Sequence, residues 1–197
     1  MAVIINASTS TGLVQSADTS GIIQFQSNGS TKATLNSSGF SYPGAVLQVV
    51  QAVKTDTFST SSSTLADITG LSVTITPSSS SNKILVLVDL HIGYNVYAGI
   101  VHLLRGATKI YAGDGGLNRC GLYSNIYQTD GLTTYLLIPV TGKFLDSPAT
   151  TSATTYKLQM ANYGSGTQYV NRTNGDINED NRDGRTASSI TVMEIAA

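Results

Sequence analysis

Charge, histidine, cysteine and long apolar runs are all scarce in this sequence, and each shortage removes a class of function. Charged residues make up 12% of the 197 residues, with a net charge of −1, which is about half the usual charged share. No basic stripe is interleaved with aromatics, so no nucleic-acid partner is expected. A lone Cys120 rules out an intramolecular disulfide and leaves no second thiol at metal-ligand spacing. No window approaches the roughly 18 apolar residues of a membrane span, so no membrane insertion is expected. The opening Met1-Ala-Val-Ile-Ile-Asn6 has no basic stretch before its short apolar run, so no signal peptide is expected. The expectation is synthesis in a cytoplasm and, if the protein acts outside, release by lysis or inside a particle.

Catalytic and metal-binding patterns are equally thin. His91 and His102 are the only histidines, and their spacing suits no zinc site. Asp89-x-His91 would place a carboxylate and an imidazole on one strand face. However, no nucleophile stands beside them and no Gly-x-Ser-x-Gly elbow occurs. The stretch Asp176-Ile-Asn178-Glu-Asp180-Asn-Arg-Asp183-Gly184 superficially resembles a calcium loop. Asn181 replaces the turn glycine, and Ala187 stands where a bidentate Glu belongs. A solvated loop with Arg172, Arg182 and Arg185 balancing the acids is the plainer reading. We therefore expect no enzyme, no cofactor and no bound metal.

What the chain has in abundance is Ser and Thr, 49 residues together, and short apolar alternations. Leu71, Val73 and Ile75 alternate with Ser72, Thr74 and Thr76, and Tyr156, Leu158 and Met160 alternate with Lys157 and Gln159. Both are patterns of half-buried strands. Further strands are expected at 45–53, 99–105, 109–112 and 188–195, while no long stretch carries a helical apolar period. Two runs are apolar on both faces, Ile84–Ile92 and Tyr135–Val140. Without covering helices, the second face of each is expected against another subunit, which nominates Leu85, Leu87, Leu136, Leu137 and Ile138 as an oligomer interface.

Residues 1–42 have a different texture. Thr11-Gly-Leu-Val-Gln15 returns nine residues later as Ser20-Gly-Ile-Ile-Gln24, and Ser38-Gly-Phe-Ser41 makes a third beat. Each beat supplies one glycine for a turn and one or two apolar side chains, too few to close a core. Such strands gain stability from identical segments of other copies. The expected architecture is all-β: an N-terminal extended arm or stalk (1–42), then a jelly-roll-like β-sandwich head (43–197), assembled as a homotrimer.

Tyr, Asn and Gly concentrate between the expected strands. Tyr94, Asn95 and Tyr97 fall in one connection, Asn118, Tyr123, Asn125 and Tyr127 in a second, and Asn162, Tyr163 and Tyr169 in a third. Planar aromatics beside short amides can stack on sugar rings and read hydroxyls, and they also populate adaptable protein-binding loops. These ten residues form the candidate set for binding a host glycan or protein.

The opening Asn6-Ala-Ser-Thr-Ser-Thr-Gly-Leu-Val14, its echo Asp18-Thr-Ser-Gly-Ile-Ile-Gln24 and the closing Ser188-Ser-Ile-Thr-Val-Met-Glu-Ile195 resemble fibre or spike proteins of tailed bacteriophages, marine ones in particular. The resemblance spans about a third of the chain, at its two ends. It implies a repetitive N-terminal segment docked on other virion proteins, a trimeric β-sandwich head and tip loops against the host surface. The long repetitive shaft of that group is missing. On the residues alone, a non-viral trimeric lectin or adhesin resembling tumour-necrosis-factor-like jelly rolls remains the alternative.

Overall fold

The computed structural model describes residues 20–37, 39–95, 99–114, 121–124, 135–162, 164–177 and 182–197. The chain divides into two units, 1–45 and 46–197; the sequence placed that division between Tyr42 and Pro43.

In the first unit, β1 (Ile23–Ser27), β2 (Ser30–Asn36) and β3 (Gly39–Ser41) form an antiparallel meander. Asn28 and Gly29, at φ of 51° and 72°, close the first hairpin. Asn and Gly are the residues that tolerate the two left-handed positions of a type I′ turn. The register sorts the side chains. Ile23 lies opposite Leu35, Leu35 opposite Phe40, and Phe25 opposite Ala33. One face is therefore apolar, and the other carries Gln24, Thr34 and Ser41.

The second unit holds β4 (Val46–Lys54), β5 (Phe58–Thr60), β6 (Ala66–Ile75), β7 (Lys83–Tyr94), β8 (Ile100–Arg105), β9 (Thr108–Ile110), β10 (Tyr123–Ser124), β11 (Ile138–Asp146), β12 (Thr154–Ala161), β13 (Gln168–Val170) and β14 (Ser188–Ile195). All pairings are antiparallel. One sheet runs β4-β14-β7-β11, with β13 and β5 extending it beside the end of β7. The other runs β6-β12-β8, with β9 and β10 sharing the far edge of β8. Counting the eight main strands in chain order, the sheets read first-eighth-third-sixth and second-seventh-fourth-fifth. That order is a jelly roll of two Greek keys, the architecture the sequence led us to expect.

Alternation explains the core. Ile84, Val86, Val88, Leu90 and Ile92 on β7 meet Leu71, Val73 and Ile75 on β6, Tyr156, Leu158 and Met160 on β12, and Ile190 and Val192 on β14. These side chains pack between the sheets because period two sends every second residue inward.

One expectation needs correction. The strand read at Tyr135–Val140 starts only at Ile138 and continues to Asp146. Ile138 packs on the core and Val140 lies within it. Leu136 and Leu137 precede the strand and are half-buried. Nothing in this stretch is a strand with two apolar faces, so it gives no support to an interface there.

Candidate binding end and assembly faces

The register gives the head two unlike ends. Val46 opens β4 opposite Ile195, at the end that also holds the β6–β7 turn and the β11–β12 connection. Connections 95–99, 125–137, 162–167 and 171–187 leave from strand ends at the opposite pole, where Tyr94 pairs with Gln168 and Ile100 with Ala161. The Tyr/Asn-rich segments thus depart from the pole farthest from where the chain enters the head.

Several candidate binding residues turn out to hold this pole together. Tyr94 is fully buried, in phase with the inward row of β7. Asn162 is fully buried too; its amide donates to the carbonyls of Gly164 (3.3 Å) and Gly166 (2.9 Å), and its backbone N–H to Ser62. Tyr169 is only 8% exposed, and the Arg172 guanidinium lies 3.8 Å above its ring, a cation–π contact. Asn95 zips two connections: its N–H donates to Thr167 O, and its Oδ1 accepts from Thr167 N at 2.9 Å. Tyr94, Asn162 and Tyr169 therefore leave the recognition set, because a buried side chain cannot meet a receptor. Tyr123 opens β10. Tyr97, Asn118, Asn125, Tyr127 and Tyr163 lie outside the described residues.

The organising residue that the sequence reading missed is Asn171. It is fully buried at φ 63°, a left-handed conformation that Asn tolerates better than most residues. Its Nδ2 donates to the carbonyls of Lys54 (2.8 Å) and Asp56 (2.9 Å), and its Oδ1 accepts from Ser188 Oγ. Its own N–H reaches His91 O. The Asn171 side chain thus ties the end of β4 to β14, and its backbone N–H adds β7. Its only sequence signal was an Asn-x-Thr triplet, which points to a glycan acceptor and not to a buried hub. Asn171→Ala should cost about 2–3 kcal/mol in urea unfolding, because buried carbonyls lose their donor. Asn171→Gly, which accepts the backbone conformation, should be the milder of the two.

The acidic stretch is clasped rather than open. Asp176 takes both Arg185 Nε (2.5 Å) and Nη2 (2.8 Å), and Arg172 Nη1 at 3.0 Å. The hydrogen bonds from Arg185, opposed by slight burial and aided by the charge of Arg172, hold its carboxyl below the usual range. Asp183 accepts from Thr173 Oγ1 and from the N–H of Ile177. With two guanidiniums on Asp176, little capacity remains for a cation. Among the described residues no group of three His, Cys, Asp or Glu is placed to hold a metal ion. Asn178, Glu179 and Asp180 lie outside them. Asp89 and His91 do share the outer face of β7, as their spacing required. The His91 ring donates from Nδ1 to Ala187 O at 3.0 Å, and its backbone N–H to Ser188 Oγ at 3.0 Å.

Two apolar surfaces stand out. In the first unit Phe25 and Phe40 make an edge-on pair at 5.7 Å, with Tyr42 5.9 Å beyond. Phe40 is nevertheless 54% exposed and Phe25 42%. In the head, Leu85 and Leu87 point away from the core and are half-buried, as the two-sided pattern of β7 required.

No known protein-family description matches the chain, and no curated protein does. Among solved structures, a chain of the T=1 particles derived from infectious bursal virus aligns at 12% identity with a TM-score of 0.36. The alignment covers 88% of this chain and 41% of that one. A likeness of this degree fixes neither a common fold nor a common function, so the functional reading rests on geometry.

Proposed function

We propose that the chain is a structural virion protein of the tailed-bacteriophage tail-fibre or capsid-fibre kind. It would work as a homotrimer, docking on other virion proteins through residues 1–42 and meeting a host-surface glycan or protein with the far-pole connections. The observation that carries this reading is the polarity of the head. The chain enters at Val46, and the Tyr/Asn-rich connections leave from the opposite pole, about 30 Å away along nine-residue strands. Attachment at one end and recognition at the other is the layout a fibre tip requires, and loops on a rigid scaffold are where recognition concentrates.

The uncovered apolar face of β1–β3 supports self-assembly. Apolar surface left in water costs free energy that covering it recovers, and further copies of the chain are present whenever it folds. The proposal assigns no catalytic residue and no cofactor.

Purified chain should sediment near three times 20.6 kDa. Deleting residues 2–42 should leave a cooperatively melting head that no longer joins its particle, because the head holds the continuous core seen among the described residues. A monomer at micromolar concentration, or particles that incorporate the shortened chain normally, would overturn the proposal.

A further inference from the structure

The two outer faces of the jelly roll differ in chemistry. On the β6-β12-β8 sheet, Thr74 bonds Thr155 at 2.8 Å, and Asp67 receives Lys157 (2.9 Å) and Gln159 (2.7 Å). Polar groups stitched across strands in this way suit water. The β4-β14-β7-β11 sheet has the opposite character. Its register aligns Val49, Met193, Leu85 and Leu145 in one continuous row across all four strands. Val49 is 56% exposed and Leu145 50%. Leu87 lies in the next outward row and Val53 in the row beyond it, both on the same side. Gln51 and Thr191, the polar pair beside it, bond each other at 2.8 Å, so they ask little of a partner.

We propose that this face packs against a second copy of the same chain, with the Val49–Met193–Leu85–Leu145 row at the centre of the contact. The inference rests on the assembly reading above and supplies its surface in the head. Four strands by eight residues, at spacings of about 4.8 and 3.4 Å, span roughly 520 Å² in plan, the polar residues of the face included. It is more than half of the roughly 800 Å² that each partner gives to a standard interface.

The charges favour an identical copy. Lys143 lies opposite Leu87, and Asp89 lies one row further along, opposite Thr141. Both are exposed. On the other side of the row Lys83 is exposed as well, bonded to Ser147 Oγ at 2.9 Å, so each copy offers charges of both signs around the apolar row and a second copy can set Asp89 against a lysine. A strongly charged partner would leave one of them opposed.

Single cysteines test the inference in the full-length chain carrying Cys120→Ser. Val49→Cys and Leu145→Cys probe the apolar row, and Thr74→Cys probes the polar face as a control. Each purified protein is sedimented and its reaction with a maleimide timed. The expected result is a multimer in which thiols at 49 and 145 react roughly tenfold or more slowly than the thiol at 74, since a covered thiol must wait for local opening. A multimer whose thiols at 49 and 145 react as fast as that at 74 overturns the inference and leaves arm-driven assembly standing. A monomer overturns both. Only this chain is in the tube, so protection there can come only from its own copies.

Discussion

Glu194→Ala should destabilise the head by about 3–5 kcal/mol, the usual cost of stripping one partner from a buried charged network. Glu194 is fully buried near the end of β14. Its Oε1 accepts from Ser78 N (2.7 Å), Ser78 Oγ (2.8 Å) and Asn82 Nδ2 (2.6 Å), and its Oε2 from Gln48 Nε2 (2.6 Å). Asn82 Oδ1 in turn accepts from the N–H of Ala197. The carboxylate thus fastens β4, the β6–β7 turn and the C-terminal residues into one knot, and its loss leaves several buried donors unmet.

The same knot predicts acid sensitivity. Burial works to raise the carboxyl of Glu194, but the hydrogen bonds from Gln48, Asn82 and Ser78 outweigh it and hold the group below its ordinary 4.5. A carboxylate depressed on folding contributes its full stability above the unfolded value. That contribution is lost as pH falls below 4.5 toward the folded value. Glu194→Gln should therefore be less stable than wild type at pH 7 but lose less on acidification. The two slopes should differ by at most about 1.4 kcal/mol per pH unit, the limit for one proton. Denaturant melts between pH 7 and pH 3 supply the comparison. Parallel slopes would mean that Glu194 does not titrate as its surroundings require.

The strands that sequence revealed most clearly are those whose alternation is clean. Residues 188–195 form β14 as read, and 71–76 and 156–160 lie within or extend just past β6 and β12. The miss at 135–140 has a physical cause. Apolar density drew attention to Leu136 and Leu137, whereas the strand that forms carries Pro139, Gly142 and Lys143. A proline is tolerated there because β11 is an edge strand pairing only with β7. The arm was recognised as unable to close a core, yet its three-stranded order appears only from the register of Leu35 between Ile23 and Phe40.

The far pole was harder to read, because composition cannot tell an exposed Tyr or Asn from a buried one. In a strand one residue of register decides the matter. Tyr94 continues the parity of Ile84 to Ile92, so extending β7 by two residues would have placed it inward. Asn162 and Asn171 carry no comparable signal. Asn162 closes its own loop on Gly164 and Gly166, and Asn171 satisfies carbonyls of Lys54 and Asp56 that become its neighbours only after distant segments meet. The outer row of Val49, Met193, Leu85 and Leu145 was half visible, since Leu85 stood out on a two-sided strand. Its other members belong to strands that align only in the folded sheet.

A clasp at the same pole as Glu194, where both Glu194 and Asp146 lie opposite Ile84, should give the second large effect, again about 3–5 kcal/mol for Asp146→Ala, because two buried or partly buried donors lose one acceptor. Asp146, buried at the end of β11, accepts Arg105 Nη1 on both oxygens at 2.8 Å, and Tyr156 Oη at 2.6 Å. Arg105 closes β8 and Tyr156 sits in β12, so three groups join the two sheets where only side chains can. Burial, then the hydrogen bond and charge of Asp146, pushes the Tyr156 phenol well above its ordinary range, so it stays a proton donor. Removing that hydroxyl alone is a smaller loss: Tyr156→Phe should cost about 1–2 kcal/mol, since Asp146 keeps Arg105. The double variant should fall short of the sum by about 0.5–3 kcal/mol, the range for residues that share a bond. Urea melts of the four proteins complete the cycle. Additive losses would show that Tyr156 and Asp146 act separately and that the clasp is only a coincidence of packing.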